Sequence, residues 1–185
     1  FGSGNRRDMS KEKWLERGYE QFALGGHDML KVEPLAARTG ISKSSFYHHF
    51  ADVEIFEEQL CQVHLRRAAV LAERERAAAS IDPDLIDILV AHKTDLLFSR
   101  QLRMNRQRQL FESTLQRSNN IVGTDFIALW ARELRLNLNE AQLQVIFGLA
   151  LENFYLQMQP EQLGADWLRA HFKQFKQQLQ LLNQA

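Results

Sequence analysis

Residues 35–50 read Leu35-Ala36-Ala37-Arg38-Thr39-Gly40-Ile41-Ser42-Lys43-Ser44-Ser45-Phe46-Tyr47-His48-His49-Phe50. Gly40 permits the positive φ that a tight turn needs. Ser42 is a good N-cap for a following helix that runs through His49. Phe46 and Phe50, four apart, give that helix one apolar face. The preceding short helix opens near Glu33-Pro34, where proline is accepted in the first turn, and ends at Thr39-Gly40. Two short helices joined by a glycine-containing turn form a helix-turn-helix, expected over about 31–50.

Upstream, Ser10 reads as the N-cap of a first helix, with Met9 and Trp14 placed for a hydrophobic staple. Trp14, Leu15, Gly18, Tyr19, Phe22 and Ala23 form its buried stripe, and Gly25-Gly26 stops it. Downstream there is no glycine between Gly40 and Gly123, and the only proline there is Pro83. Leu, Ala, Glu, Gln, Arg and Lys dominate that stretch and favour helix. A long fourth helix is expected from Asp52 to about Ala79. A fifth, capped by Asp82 with Pro83 in its first turn, should run to about Ser99. A sixth spans about 102–117 until Ser118-Asn119-Asn120 breaks it, and a seventh runs from about Thr124 to Leu136. Asn139 caps the next, with Gln142 as its capping-box partner. A terminal helix opens at Asp166 and carries Leu168, Phe172, Phe175, Leu179 and Leu182 in steps of four and three, a seam of coiled-coil type. No alternating strand or hairpin signal occurs. The fold class is therefore all-α: a three-helix N-terminal helix-turn-helix head over about 9–51 and a larger helical body over about 52–185. Residues 1–8, opening Phe1-Gly2-Ser3-Gly4, read as a tag remnant and flexible arm.

Composition bounds the class. The 185 residues carry 23 Lys+Arg and 23 Asp+Glu, with 45% hydrophobic and 10% aromatic residues. That excludes a disordered chain. The single cysteine, Cys61, excludes an intramolecular disulfide. No apolar run reaches the roughly 20 residues of a membrane span, so no membrane partner is expected and a cytoplasmic site is. Zero net charge conceals an asymmetry: residues 1–50 hold eight Lys/Arg against six Asp/Glu, a net +2, and the rest hold 15 against 17, a net −2.

The quoted stretch resembles the tetracycline-repressor (TetR) family of bacterial transcription regulators, whose pattern is close to Ile-Ala-x-x-Ala-Gly-Val-Ser-x-x-Thr-[Leu/Phe]-Tyr-x-His-Phe. The matches are Leu35-Ala36, Gly40-Ile41-Ser42, Phe46-Tyr47 and His49-Phe50, with Phe22-Ala23 and Gly26 in register upstream. The resemblance implies a recognition helix that enters the major groove of double-stranded DNA N-terminal end first. It implies that Lys43 contacts phosphate or a guanine edge, that Ser45 and Tyr47 contact phosphate, that His48 reaches base or backbone and that Ser44 touches a base. His49, Lys31 and Lys11 complete the expected DNA-binding set, and Arg6, Arg7 and Lys13 extend it as an arm. Phe46 and Phe50 are expected in the core. The chain departs from the pattern at Val53, where the family commonly has a phosphate-gripping lysine, and Asp52 and Glu54 beside it add negative charge. Leu30-Lys31 also replaces the usual Thr or Ser before the second helix.

The resemblance further implies a homodimer, a near-palindromic operator and a small-molecule effector of unknown identity held in the body. Candidate pocket residues are His92, Phe98, Phe111, Phe126, Trp130, Phe154 and Tyr155. The terminal seam of Leu168, Phe172, Phe175, Leu179 and Leu182 is the expected dimer interface. Two other readings stand beside the repressor: a nucleoid or division regulator on the same fold without an effector, and a helical adaptor whose head no longer binds DNA. Cys61 with His64, and His48 with His49, lack the further ligands a metal site needs. Neither a phosphate-binding glycine loop nor a catalytic elbow is present, so no metal, cofactor or enzymatic activity is expected. The cluster Arg100, Arg103, Arg106 and Arg108 reads as a solvated face.

Overall fold

The computed structural model describes the backbone over residues 3–123 and 125–182 and side chains over 9–123 and 125–181. Thr124 and the side chains of Arg6, Arg7 and Leu182 lie outside the described residues. Among the described residues there are ten α-helices and no strand: α1 (Ser3–Gly25), α2 (Val32–Thr39), α3 (Lys43–His49), α4 (Val53–Ala77), α5 (Ile86–Ala91), α6 (Lys93–Met104), α7 (Gln109–Val122), α8 (Asp125–Leu134), α9 (Glu140–Gln157) and α10 (Ala165–Leu182). The all-α expectation holds. None of these helices is long and apolar enough to cross a membrane.

Several helix boundaries differ from the sequence reading. Helix α1 begins at Ser3, so the expected flexible arm is helical from there and Ser10 lies inside the helix rather than at its cap. The Met9–Trp14 staple is absent: Met9 is exposed while Trp14 is fully buried. Gly26 and Gly40 both take positive φ, 71° and 67°, and end α1 and α2 as expected. The cap after α4 is Ser80 rather than Asp82. Asp84 accepts from the amides of Ala79 and Ser80 at 2.9 and 3.0 Å, while Asp82 has extended backbone within a short π-helical turn. His92 breaks the expected fifth helix into α5 and α6, and residues 105–108 form the next break. Helix α7 runs through Ser118-Asn119-Asn120 and stops at Gly123, whose φ is 65°. The Asn139/Gln142 capping box forms as read, each partner at 2.9 Å.

The chain divides into two compact units, residues up to 67 with 94–118, and 68–93 with 119 onward. This division does not coincide with the expected boundary at 51/52. The physical reason is aromatic. Tyr19 and Phe22 of α1 pack on Phe98 of α6 at 4.3 and 4.4 Å between ring centres, and Phe22 meets Phe111 of α7 at 5.2 Å. The first turns of the chain thus share one core with α6 and α7 instead of closing on themselves. A buried ion pair adds to that core. Glu57 of α4 accepts from Arg108 at 2.7 and 3.1 Å and meets His27 at 2.5 Å.

The second unit is built on α8, α9 and α10. Trp130 packs on Phe172 and Phe175 at 5.3 and 5.1 Å, and Phe147 meets Phe175 at 5.4 Å. Leu168 and Leu179 are buried in the same chain. The α10 seam thus has partners within the chain: Leu168 and Leu179 are buried, and Phe172 and Phe175 are half-buried against Trp130.

Candidate nucleic-acid interface

Helix α3 is only seven residues long, so its placement depends on what lies beneath it. Phe46 is its fully buried anchor, edge-on to Trp14 of α1 at 5.3 Å and to Phe56 of α4 at 5.1 Å. Phe50 stacks obliquely on Phe56 at 4.7 Å. Such aromatic pairs fix orientation as well as burying area. Gly18 is what lets α1 and α4 approach: a Cβ there would sit 2.3 Å from Phe56 Cζ. Phe46 and Phe50 are core residues, as read.

With Phe46 inward, helical geometry turns Ser44, Tyr47 and His48 outward, and these three and Lys43 in the first turn are exposed. Tyr47 keeps 52% of its surface, which is high for a tyrosine on a helix otherwise packed against the core. Lys31, at the extended N-cap position of α2, is also exposed. The helix N-terminus adds unpaired amides, because Ser42 occupies the cap position with extended backbone but makes no side-chain cap bond. Its hydroxyl lies 3.0 Å from that of Ser44 instead.

Three expected contacts are placed differently. The Ser45 hydroxyl is 2.9 Å from that of Ser10 on α1, so it ties the helix to its platform instead of facing outward. His49 is half-buried against Phe50, with ring centres 6.0 Å apart. Lys11 is half-buried on α1. The outward set is thus Lys31, Lys43, Ser44, Tyr47 and His48.

Two residues at this face were not among the expected contacts. Glu33, in the first turn of α2, forms an ion pair with the Lys43 ammonium. The hydrogen bond from Lys43 holds the Glu33 carboxyl below its usual range, and the same bond raises the lysine. Asp52 accepts from the Ile55 amide at 2.8 Å and so caps α4. Its negative charge serves the helix N-terminus that follows the family's missing lysine. The signal for Asp52 was available, an Asp one residue before a helical run. No spacing rule links Glu33 to Lys43, ten residues apart across a turn.

Residues 15–54 match the family model described as bacterial regulatory proteins, tetR family. Over these residues the chain is similar to bacterial tetR-family regulators. The match covers the second half of α1, the whole helix-turn-helix and the start of α4. No curated protein and no solved structure matches the chain.

The candidate effector residues are divided between the two units. Phe98 and Phe111 are fully buried in the core of the first unit with Tyr19 and Phe22. Phe126, Trp130, Phe154, Tyr155 and His92 belong to the second. There Phe126 meets Phe147 at 5.8 Å, and Phe154 sits against Tyr155 and Trp167 at 5.2 and 5.6 Å. The resemblance to a family cavity drew the seven residues together, whereas packing assigns them to two cores. In the same second unit Glu75 is buried with one carboxylate oxygen unpartnered, and desolvation, followed by the charge of Asp125, raises it to about 7.

Proposed function

We propose that this chain is a TetR-family regulator, a homodimeric repressor that binds a near-palindromic operator and is released by a small-molecule effector. The observation that carries the DNA-binding part is the outward face of α3, where Lys43, Ser44, Tyr47 and His48 are exposed on a helix anchored by Phe46. That face fits a major groove about 12 Å wide, entered N-terminal end first. A dimer would present two such helices to successive grooves, about one helical turn apart.

The dimer part is supported by an apolar stripe on α9. Val145, Leu149 and Leu156 are 64%, 70% and 80% exposed, and Gly148 lies open between them. Large aliphatic side chains at such spacing on one helix mark an interaction face. The effector part is supported by the second unit, where aromatic Trp130, Phe154 and Tyr155 supply apolar surface and Glu75 a buried carboxyl. An effector acts only through its different affinity for the DNA-competent and DNA-incompetent states.

Selection of bound DNA from random sequence, followed by gel shifts on the selected site, tests this reading. The selected site should be near-palindromic and its binding should weaken steeply with salt, reporting several phosphate contacts. Tyr47→Ala should abolish the shift while the helical circular dichroism stays intact. An undiminished shift with Tyr47→Ala would remove α3 from the interface.

A further inference from the structure

We infer that Glu33 is a specificity-determining residue, which together with Lys43 reads one G·C base pair in each operator half-site. The inference rests on the DNA-binding reading of α3 and extends it to a residue on α2.

Lys43 is the first residue of α3, and Glu33 lies in the first turn of α2, with the two side chains in direct contact and both open to solvent. The carboxylate therefore sits at the same outward face as the ammonium it holds. A lone acid on a DNA-binding face repels phosphate. It is tolerated here by two local positive features, the Lys43 ammonium and the N-terminal amides of α2. As a pair the two side chains are neutral, so they add nothing to a sequence-independent grip on phosphates. What a neutral donor–acceptor pair fits is a base edge. Guanine presents two adjacent acceptors, N7 and O6, and its partner cytosine presents the N4 amino donor beside them. An ammonium spanning N7 and O6 with a carboxylate accepting from N4 matches that order. An A·T pair separates its acceptors with the adenine amino group and places a methyl group beyond them.

The pair also accounts for a feature of the head that charge alone does not. The family's usual lysine is replaced by Val53, and residues 1–50 carry only a net +2. The Glu33–Lys43 pair already counts as zero within that +2, so affinity must come from matched sites rather than from bulk charge.

The test uses the full-length protein and its Glu33→Gln and Lys43→Gln variants, each taken through selection from random double-stranded DNA. Both substitutions are at exposed positions, and unchanged helical circular dichroism verifies the fold. The wild type should select a G·C pair at one position of each half-site, with discrimination of roughly tenfold or more over other pairs. Both variants should lose preference at that same position and keep the rest of the site. Glu33→Gln should also bind unrelated DNA more tightly, with the salt dependence steepened by about one phosphate contact. A Glu33→Gln consensus identical to wild type overturns the inference, whatever happens to non-specific affinity, and so does a change confined to A·T positions. If the wild type selects no sequence, the DNA-binding reading itself falls and the inference with it.

Discussion

Tyr19 donates its phenolic hydrogen to Asp95 Oδ1 at 2.8 Å, which joins α1 to α6 in the core of the first unit. The remaining bonds follow in one direction. The Tyr19 oxygen, having given its hydrogen away, accepts from His64 Nδ1 at 2.8 Å. That fixes the Nδ1–H tautomer and leaves Nε2 to accept from Ser99 at 3.1 Å. Arg67 binds the same Asp95 carboxylate and lies over the Tyr19 ring at 4.8 Å. Burial and the Asp95 carboxylate raise the tyrosine, so it stays a donor. Helices α1, α4 and α6 are thereby tied through one buried, fully paired chain. Helix α1 carries that tie on to α3, through Ser10 to Ser45.

Replacing Tyr19 by Phe removes only the oxygen, but it leaves the His64 donor buried without an acceptor. Loss of one partner in a buried pair costs about 1–3 kcal/mol. Urea denaturation should show that loss as a lower midpoint at unchanged slope, and a difference under about 0.5 kcal/mol would mean that the chain of bonds contributes nothing.

Arg108 is the main partner of Glu57, whose side chain is only 1% exposed. Arg108→Ala leaves that carboxylate buried beside His27. Removing one side of a buried pair costs about 3–5 kcal/mol, whereas replacing both sides by apolar residues is often near neutral. The Arg108→Met/Glu57→Met double variant should therefore be more stable than Arg108→Ala. Equal stabilities would show that Glu57 escapes to solvent when its arginine is gone.

These pairings also mark how far the sequence could be read. Local signals were legible: Gly40 as a left-handed turn, the Asn139/Gln142 box and the apolar partition of Phe46 and Phe50 depend on residues within four positions of each other. The outward face of α3 followed from that partition together with the family pattern. What failed was long-range. The Tyr19–Asp95 bond spans 76 positions and Arg108–Glu57 spans 51, and these place α6 and α7 with the head. Periodicity shows that Phe98 and Leu168 face a core, but not which one. Periodicity alone therefore does not show that Phe98 and Phe111 pack in the first unit, or that Trp130 and Phe147 of the same chain pack on the α10 seam. Ser10 illustrates the local limit: a good cap residue is not used as a cap when the helix continues past it.

Two buried titrating groups give the units opposite pH responses. Burial lowers His64 from 6.5 to about 4. Between those values the unfolded chain takes up a proton that the folded one refuses, so the first unit loses stability as pH falls, by about 3 kcal/mol in all. Glu75 in the second unit goes the other way, from 4.5 to about 7. Over that range the folded chain keeps a proton that the unfolded one releases, so stability falls as pH rises, again by about 3 kcal/mol. Hydrogen exchange of slow core amides at pH 4.5 and 7 should resolve the two trends, once rates are corrected for intrinsic pH dependence. Glu75→Gln should flatten the second trend and stabilise that unit at pH 7.5, leaving the first unit unchanged. A destabilised second unit at pH 7.5 would show that ionised Glu75 is paired.

The α9 stripe makes the sharpest prediction about assembly. Val145, Leu149 and Leu156 contribute nothing to the fold of a single chain at their degree of exposure, so a charge at Leu149 should leave the helix intact. At the centre of a dimer interface the same charge would be buried without a partner and cost several kcal/mol per subunit. Leu149→Asp should therefore sediment as a monomer with unchanged circular dichroism. It should also lose operator affinity, because a monomer engages only one half-site. Gly148→Ala provides the internal control. The added methyl meets nothing within 4 Å in the single chain and replaces a helix-interior glycine, which favours the helix by about 1 kcal/mol. Truncation before Asp166 is a different experiment, since it removes Leu168 and Leu179 from the core and should unfold the second unit rather than yield a folded monomer. A Leu149→Asp protein that still sediments as a dimer would place the interface on another face.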